Sequence, residues 1–197
     1  MEERLTKTVE KAIEQLVVDF QSNPERSWNE RDMHWSLFYY LKQGEVIREA
    51  YVTQLIRAEF PTLKKFDGAR GHYDLVALHY ESYDSPGVRD MKEKASWDDF
   101  LPKIKIKIAA ELKLWRVRFQ HERADKIINW DIRKLTENPN VLNAYFLNFV
   151  QLDFTKKEMK SWYSELRDSL TAQRHLDLRI LCVPSEKKIQ LPSENWL

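Results

Sequence analysis

The chain has 197 residues, of which 43% are hydrophobic and 32% charged, and its net charge is +1. These values are typical of one soluble globular domain over residues 1–197 and exclude a disordered chain. The apolar runs are all much shorter than the roughly 20 residues that span a bilayer, so no membrane association is expected.

The N-terminus lacks an apolar secretory segment, and the single cysteine, Cys182, cannot form an internal disulfide. Both features predict a cytoplasmic protein. Residues 103–126 contain eight Lys and Arg against three acids, whereas residues 81–99 contain six acids against three bases. The basic stretch is either a local surface for an anionic partner or a solvated charged face.

Two helices are predicted in the N-terminal 44 residues. Apolar residues at helical spacing in 9–20 predict the first, which ends before Pro24. Ser27 and Glu30 have the spacing of a capping box and predict the start of the second. That helix ends near Gly44 and turns four residues towards the core: Met33, Leu37, Tyr40 and Leu41.

Residues 45–80 predict two strands. Residues 46–56 fit a helix and residues 52–60 fit a strand, and we favour a short helix or turn followed by a strand that ends at Pro61. Residues 64–71 contain two of the four glycines and predict a loop. A strand over residues 72–80 follows, in which Asp74 is the single acid.

Residues 81–102 show little apolar periodicity and contain a Ser-Pro-Gly turn signal, which predicts an insertion between two neighbouring strands. Residues 104–116 then alternate as a strand does, with two distinct faces. One face is apolar, and the other carries Glu111, Lys113, Lys105 and Lys107. The apolar face consists of Ile104, Ile106, Ile108, Ala110, Leu112 and Leu114.

The rest of the chain predicts a helix over residues 124–135, a strand over 144–154, a helix over 159–170 and a last strand over 176–183. Helices followed by three strands, and then by alternating helices and strands, indicate an α/β fold. We therefore expect a three-layer sandwich in which a mixed central sheet is flanked by helices.

Asp74 and Glu111 fall on neighbouring predicted strands among apolar residues. Burying two carboxylates is costly without a counter-charge, and carboxylates with water suit Mg²⁺ or Mn²⁺. Lys113, two residues after Glu111, is placed to orient a water molecule or to stabilise a developing phosphorane. These three residues together indicate metal-assisted hydrolysis of a phosphodiester.

Asp74 followed by Glu111-Leu112-Lys113 resembles the PD-(D/E)xK motif of the restriction-endonuclease-like nuclease superfamily, and the order of elements over residues 27–183 resembles its core. The resemblance implies a Mg²⁺- or Mn²⁺-dependent nuclease that acts on DNA rather than RNA. It also implies that Asp74, Glu111 and Glu30 bind the metal and that Lys113 is catalytic. Many members of that superfamily are homodimers, so a homodimer is a further expectation.

Four polar residues near the motif are candidates for contacts with backbone phosphates: Lys105, Lys107, Gln120 and Lys134. Three tryptophans are either platforms on which bases stack or core residues: Trp115, Trp130 and Trp162.

Each candidate has a simpler interpretation. Glu111 and Lys113 would be exposed charges on an edge strand, Asp74 would end a turn, and Glu30 would only cap its helix with Ser27. For the whole chain the alternatives are a catalytically silent nuclease-like module that binds nucleic acid or protein, and a structural protein with a network of surface charges.

Overall fold

The structure is a computed structural model that describes residues 2–23, 29–43, 55–83, 96–115, 121–150 and 177–184. Side chains are described throughout these ranges except at Glu2, Trp115, residues 121–128, Val150, Asp177, Cys182 and Pro184. The helices are α1 (Glu2–Ser22), α2 (Glu30–Gln43), α3 (Tyr80–Tyr83), α4 (Trp97–Phe100), a 3₁₀ turn (Leu101–Lys103) and α5 (His121–Thr136). The strands are β1 (Ile56–Phe66), β2 (Ala69–Leu78), β3 (Ile106–Trp115), β4 (Asn143–Val150) and β5 (Asp177–Pro184).

The five strands form one mixed sheet in the order β1-β2-β3-β4-β5. β1, β2 and β3 pair antiparallel, whereas β3, β4 and β5 pair parallel. The parallel step from β3 to β4 is made through α5, as a crossover connection requires. β3 is therefore the central strand, as the sequence predicted.

Apolar clusters lie on the two faces of the sheet. On one face α1 and α2 pack against residues that include Leu75, Ala110 and Leu147. On the other face α5, the 3₁₀ turn and the side chains of Tyr83 and Phe100 pack against residues that include Val76 and Phe146. The predicted α/β class with a mixed sheet between helices is confirmed, and the described elements are compatible with a three-layer sandwich.

The hairpin of β1 and β2 differs from the prediction of a loop over residues 64–71. β1 continues through Pro61 to Phe66, and a two-residue turn at Asp67 and Gly68 leads directly into β2. β1 is at the edge of the described sheet, which is the position where a strand tolerates a proline such as Pro61. Asp67 and Gly68 have φ values of 48° and 82°, and Asp-Gly is a favoured sequence for such hairpin turns.

The alternation predicted along β3 is wrong at one point. Leu78 pairs with Ile106 but Ala77 pairs with Ile108, so Lys107 is an extra residue in a β-bulge. Because the bulge reverses the faces, Ile104 and Ile106 join one core cluster while Ile108, Ala110 and Leu112 join the other. Side-chain alternation is a local property, but a bulge depends on pairing with a neighbouring strand.

Several predictions fall outside the described residues: the Ser27 N-cap, the turn or helix before β1, the middle of the predicted insertion and the helix over 159–170. The described ends of the insertion pack into the core through Tyr83, Phe100 and Leu101. Among the described helices, none is long and apolar enough to cross a membrane.

Candidate metal centre and its lysines

The first turn of α2 is capped by its own neighbours. Asn29 Oδ1 accepts a hydrogen bond from the N–H of Asp32 at 2.9 Å, and the N–H of Asn29 donates to Asp32 Oδ2 at 3.1 Å. This is the reciprocal geometry of a capping box. The described cap of α2 is therefore formed by Asn29 and Asp32, whereas the Glu30 carboxylate contacts Lys113.

Glu30 and His34 are four residues apart and so lie on the same side of α2. Together with Asp74 of β2 they present one ligand atom each, and these atoms lie within 4.8 Å of one another. All three side chains are partly exposed. We call these three residues the α2 group. A cation could reach such a site from solvent, and two carboxylates with an imidazole suit a divalent metal.

Asp74 is oriented from two directions. Its Oδ2 accepts a hydrogen bond from the N–H of Leu112 at 2.6 Å, and the same oxygen lies 3.3 Å from His34 Nε2. Burial raises the pKa of Asp74, but His34, the Leu112 N–H and Lys113 outweigh it and lower the pKa overall. Burial likewise lowers the pKa of His34, but the Asp74 carboxylate outweighs it and raises the pKa. The two residues form a charge-stabilised pair.

Glu59 of β1 lies opposite Asp74, between the pairs Ala58–Leu75 and Phe60–Tyr73. It is exposed, and its φ of 51° is unusual for a residue other than glycine. Its charge contributes to the raised pKa of His34. Glu59 is thus near the α2 group but does not belong to it.

Lys113 of β3 connects the two helical layers. Its Nζ lies 3.1 Å from Glu30 Oε1 on α2 and 3.1 Å from Asp131 Oδ2 on α5. Burial lowers the pKa of Lys113, but Asp131 and Glu30 outweigh it, so the pKa is raised and the ammonium is charged at neutral pH. The side chain is 18% exposed. A cation beside the α2 group is therefore a fixed part of this site.

A second set of charges lies behind Lys113, and we call it the α5 group: Glu111, Asp131 and Lys134. Lys134 Nζ lies 2.8 Å from Glu111 Oε2 and 2.9 Å from Asp131 Oδ1. The three side chains are 0%, 5% and 8% exposed for Glu111, Asp131 and Lys134. Within the described part of the chain, Glu111 Oε1 is buried without a hydrogen-bond partner.

The pKa values of the α5 group follow from this burial. Burial and the nearby Asp74 and Asp131 raise the pKa of Glu111 well above its usual value, although Lys134 opposes them. Burial lowers the pKa of Lys134, but Glu111 and Asp131 outweigh it and raise the pKa. An acid that is hard to ionise thus lies next to a firmly charged ammonium.

The structure brings the four predicted catalytic residues together: Glu30 and Asp74 belong to the α2 group, Glu111 belongs to the α5 group, and Lys113 contacts both groups. Glu111, however, is a neighbour of the candidate cation group and not a member of it, because Lys134 holds its Oε2. His34 takes the position among the ligands that the sequence prediction gave to Glu111.

The predicted phosphate-contact residues do not all lie at the surface beside the candidate metal centre. Lys134 is buried and its ammonium is engaged within the protein, so the prediction that it binds a phosphate is wrong. Lys107 is the bulge residue and lies six residues before Lys113, which is roughly 20 Å at about 3.3 Å per residue. Lys105 lies two residues further from Lys113, just before β3 begins. Gln120 lies outside the described residues, and Trp130 packs edge-on against Phe66.

His34 and Asp131 are the functional candidates that the sequence interpretation missed. A signal was present for each, because Glu30 and His34 are four residues apart and Asp131 and Lys134 are three apart on predicted helices. Such spacings are common in surface helices, so they become informative only when the facing strand is known.

Comparison of the chain with protein-family models, with curated proteins and with solved structures gives no match.

Proposed function

We propose that this chain is a metal-dependent nuclease that hydrolyses phosphodiester bonds in DNA, with a core of the restriction-endonuclease-like type. The observation that carries the proposal is the α2 group, whose ligand atoms lie within 4.8 Å of one another beside the partly exposed ammonium of Lys113. A preference for DNA over RNA rests only on the resemblance to the PD-(D/E)xK motif.

Glu30, His34 and Asp74 would hold Mg²⁺ or Mn²⁺, and the imidazole favours Mn²⁺ of the two. A divalent ion there lowers the pKa of a bound water molecule and neutralises charge on a phosphate. Glu111 Oε1, which is buried and unpartnered among the described residues, is a further acceptor on the strand that neighbours Asp74.

Lys113 would stabilise the negative charge that develops on the phosphate, as a positioned cation does in a partly buried site. It is suited to this because its raised pKa keeps it protonated at neutral pH. Asp131 holds the ammonium from the α5 side, so Glu30 can turn to a cation without leaving Lys113 unpaired.

The test is a cleavage assay on linear, branched and single-stranded DNA and on RNA, with Mg²⁺ or Mn²⁺. Asp74→Asn and Lys113→Met should each lose roughly 10²- to 10⁴-fold in rate, the range for a positioned catalytic group. Lys11→Met is the matched control, because Lys11 is exposed on α1 and has no role in the proposed site, so it should leave the rate unchanged.

Three results would count against the proposal. If the folded Asp74→Asn and Lys113→Met variants cut as fast as wild type, the activity does not come from this site. If no substrate is cut in the presence of either Mg²⁺ or Mn²⁺, the chain is not a nuclease for these substrates. If Mn²⁺ binds but nothing is cut, the alternative of a silent nuclease-like module is favoured.

A further inference from the structure

We propose that the ammonium of Lys134 is a built-in cation that takes the place of a second metal ion in this site. The site then accepts one divalent ion, at the α2 group, and no second ion between Glu111 and Asp131. The inference rests on the proposed metal site, because it concerns how many ions that site takes.

The surroundings of Lys134 Nζ are those of a bound cation. It donates to Glu111 Oε2 at 2.8 Å and to the carbonyl oxygen of His72 at 3.0 Å, and it lies 2.9 Å from Asp131 Oδ1. These three oxygens match the three protons of an ammonium group. Two of them are carboxylate oxygens from different elements, β3 and α5, which is also how a protein holds a metal ion.

The chain is built to admit this lysine. A Cβ atom at Gly71 would lie 2.8 Å from Lys134 Cδ and 3.3 Å from Cγ, so the glycine leaves the space that the lysine stem occupies. The backbone is held as well, because Tyr73 Oη and Asn138 Nδ2 both donate to the Lys134 carbonyl oxygen, at 3.1 Å and 2.6 Å. A side chain fixed at both ends is a permanent part of the site.

Charge balance gives the number of ions. The two groups and Lys113 together hold the four carboxylates of Glu30, Asp74, Glu111 and Asp131 and the two ammonium groups of Lys113 and Lys134. With His34 neutral, as a metal ligand must be, these groups carry a charge of −2 when Glu111 is ionised and −1 when it is protonated. In either state one divalent ion is enough to remove the negative charge. A second would place an excess of positive charge in a buried region, which is unfavourable.

The experiment measures how many Mn²⁺ ions bind to the full chain, by isothermal titration calorimetry and by the electron paramagnetic resonance signal of bound Mn²⁺. Wild type should bind one ion and show no spin-coupled Mn²⁺ pair. Lys134→Ala removes the ammonium and opens its space, so this variant should bind two. Lys105→Ala, which removes an exposed lysine, should bind one like wild type.

Two bound ions in wild type would overturn this inference while leaving the metal site in place. One ion in a folded Lys134→Ala variant, with unchanged affinity, would also overturn it, because the lysine would then not occupy a cation position. No bound ion in wild type would overturn the metal site and this inference together. Two ions in wild type would overturn the inference whether or not Lys134→Ala folds, so the inference can be refuted without that variant.

Discussion

Asp74 of β2 and Glu111 of β3 are neighbours across the two strands, next to the pair Leu75–Ala110, yet the two carboxylates have opposite surroundings. Asp74 faces His34 and is partly exposed, and its pKa is lowered. Glu111 faces Lys134 and is fully buried, and its pKa is raised. The α2 group is thus an accessible set of candidate ligands, whereas the carboxylates of the α5 group are already paired with the protein's own cation, Lys134.

The difference shows how one strand can serve both structure and chemistry. A buried carboxylate needs a permanent counter-charge for the protein to fold, so its partner must be part of the chain. A partly exposed set of ligands needs no such partner, because it can bind an ion from solvent after the protein has folded. Lys113 lies between the two groups and contacts both, through Glu30 and Asp131.

The largest effect on folding should come from Lys134→Met, which leaves Glu111 buried without its cation. We expect it to lower the free energy of unfolding in urea by about 3–5 kcal/mol, the cost of breaking a buried ion pair. Lys113→Met should cost less, because its side chain is 18% exposed against 8% for Lys134.

Arg133→Ala is the control for Lys134→Met, because Arg133 is the adjacent residue on α5 and its ion pair with Glu137 is exposed. It should not change the unfolding midpoint measurably. A Lys134→Met variant as stable as wild type would show that the α5 group does not depend on its lysine.

The next effect concerns the α2 group. Mn²⁺ at a hundred times its dissociation constant should stabilise the protein by about 2.7 kcal/mol, visible as a rise in Tm. His34→Ala should weaken Mn²⁺ binding at least ~10-fold, or about 1.4 kcal/mol, because it removes one ligand. His72→Ala is the matched control, since its side chain is exposed. Equal Tm rises in wild type and His34→Ala would exclude His34 as a ligand.

A smaller effect on stability concerns the packing of the Lys134 side-chain carbons against Gly71. Gly71→Ala should cost about 1–3 kcal/mol of stability, because the new Cβ would overlap Lys134 Cδ, at 2.8 Å. In a Lys134→Ala background the same substitution should cost much less, since the overlapping atom is gone. A double-mutant cycle in urea measures this coupling, and simple additivity of the two costs would contradict the packing argument.

The smallest effect is the pH dependence of stability in EDTA. The raised pKa of His34 stabilises the protein fully below its unfolded pKa of about 6.5, and this contribution is lost as pH rises through the folded value. The raised pKa of Glu111 acts in the same direction, because ionising a buried acid becomes a cost as pH rises. The lowered pKa of Asp74 adds stability above about 3.9, which is lost only at acid pH.

Tm in EDTA should therefore fall as pH rises above about 6.5, and His34→Gln should flatten the start of that fall. Mn²⁺ should stabilise the protein more as pH rises through the same range, because protons compete with the ion for His34. A Tm that rises with pH in EDTA would show that neither His34 nor Glu111 has the raised pKa that its surroundings indicate.

Most of the fold could be predicted from local patterns. The helical spacing of Met33, Leu37 and Leu41, the apolar strand around Phe146 and the last strand around Leu181 are confirmed, because burial on a sheet or helix leaves a regular period in the sequence. The hairpin at Asp67 and Gly68 was missed although Asp-Gly is a local turn signal, because Pro61 before it predicts the end of β1. The bulge at Lys107 was missed because strand pairing is not a local property.

For the site, the sequence by itself determined which residue types were out of place: a lone acid on one strand, and an acid with a lysine on the central strand. The tertiary structure alone decided their partners. It brings His34 to Asp74 from one helical layer, and Lys134 to Glu111 from the other. The physical reason is that the fate of a carboxylate depends on its burial and on the nearest cation, and both are set by elements 40 or 23 residues away along the chain.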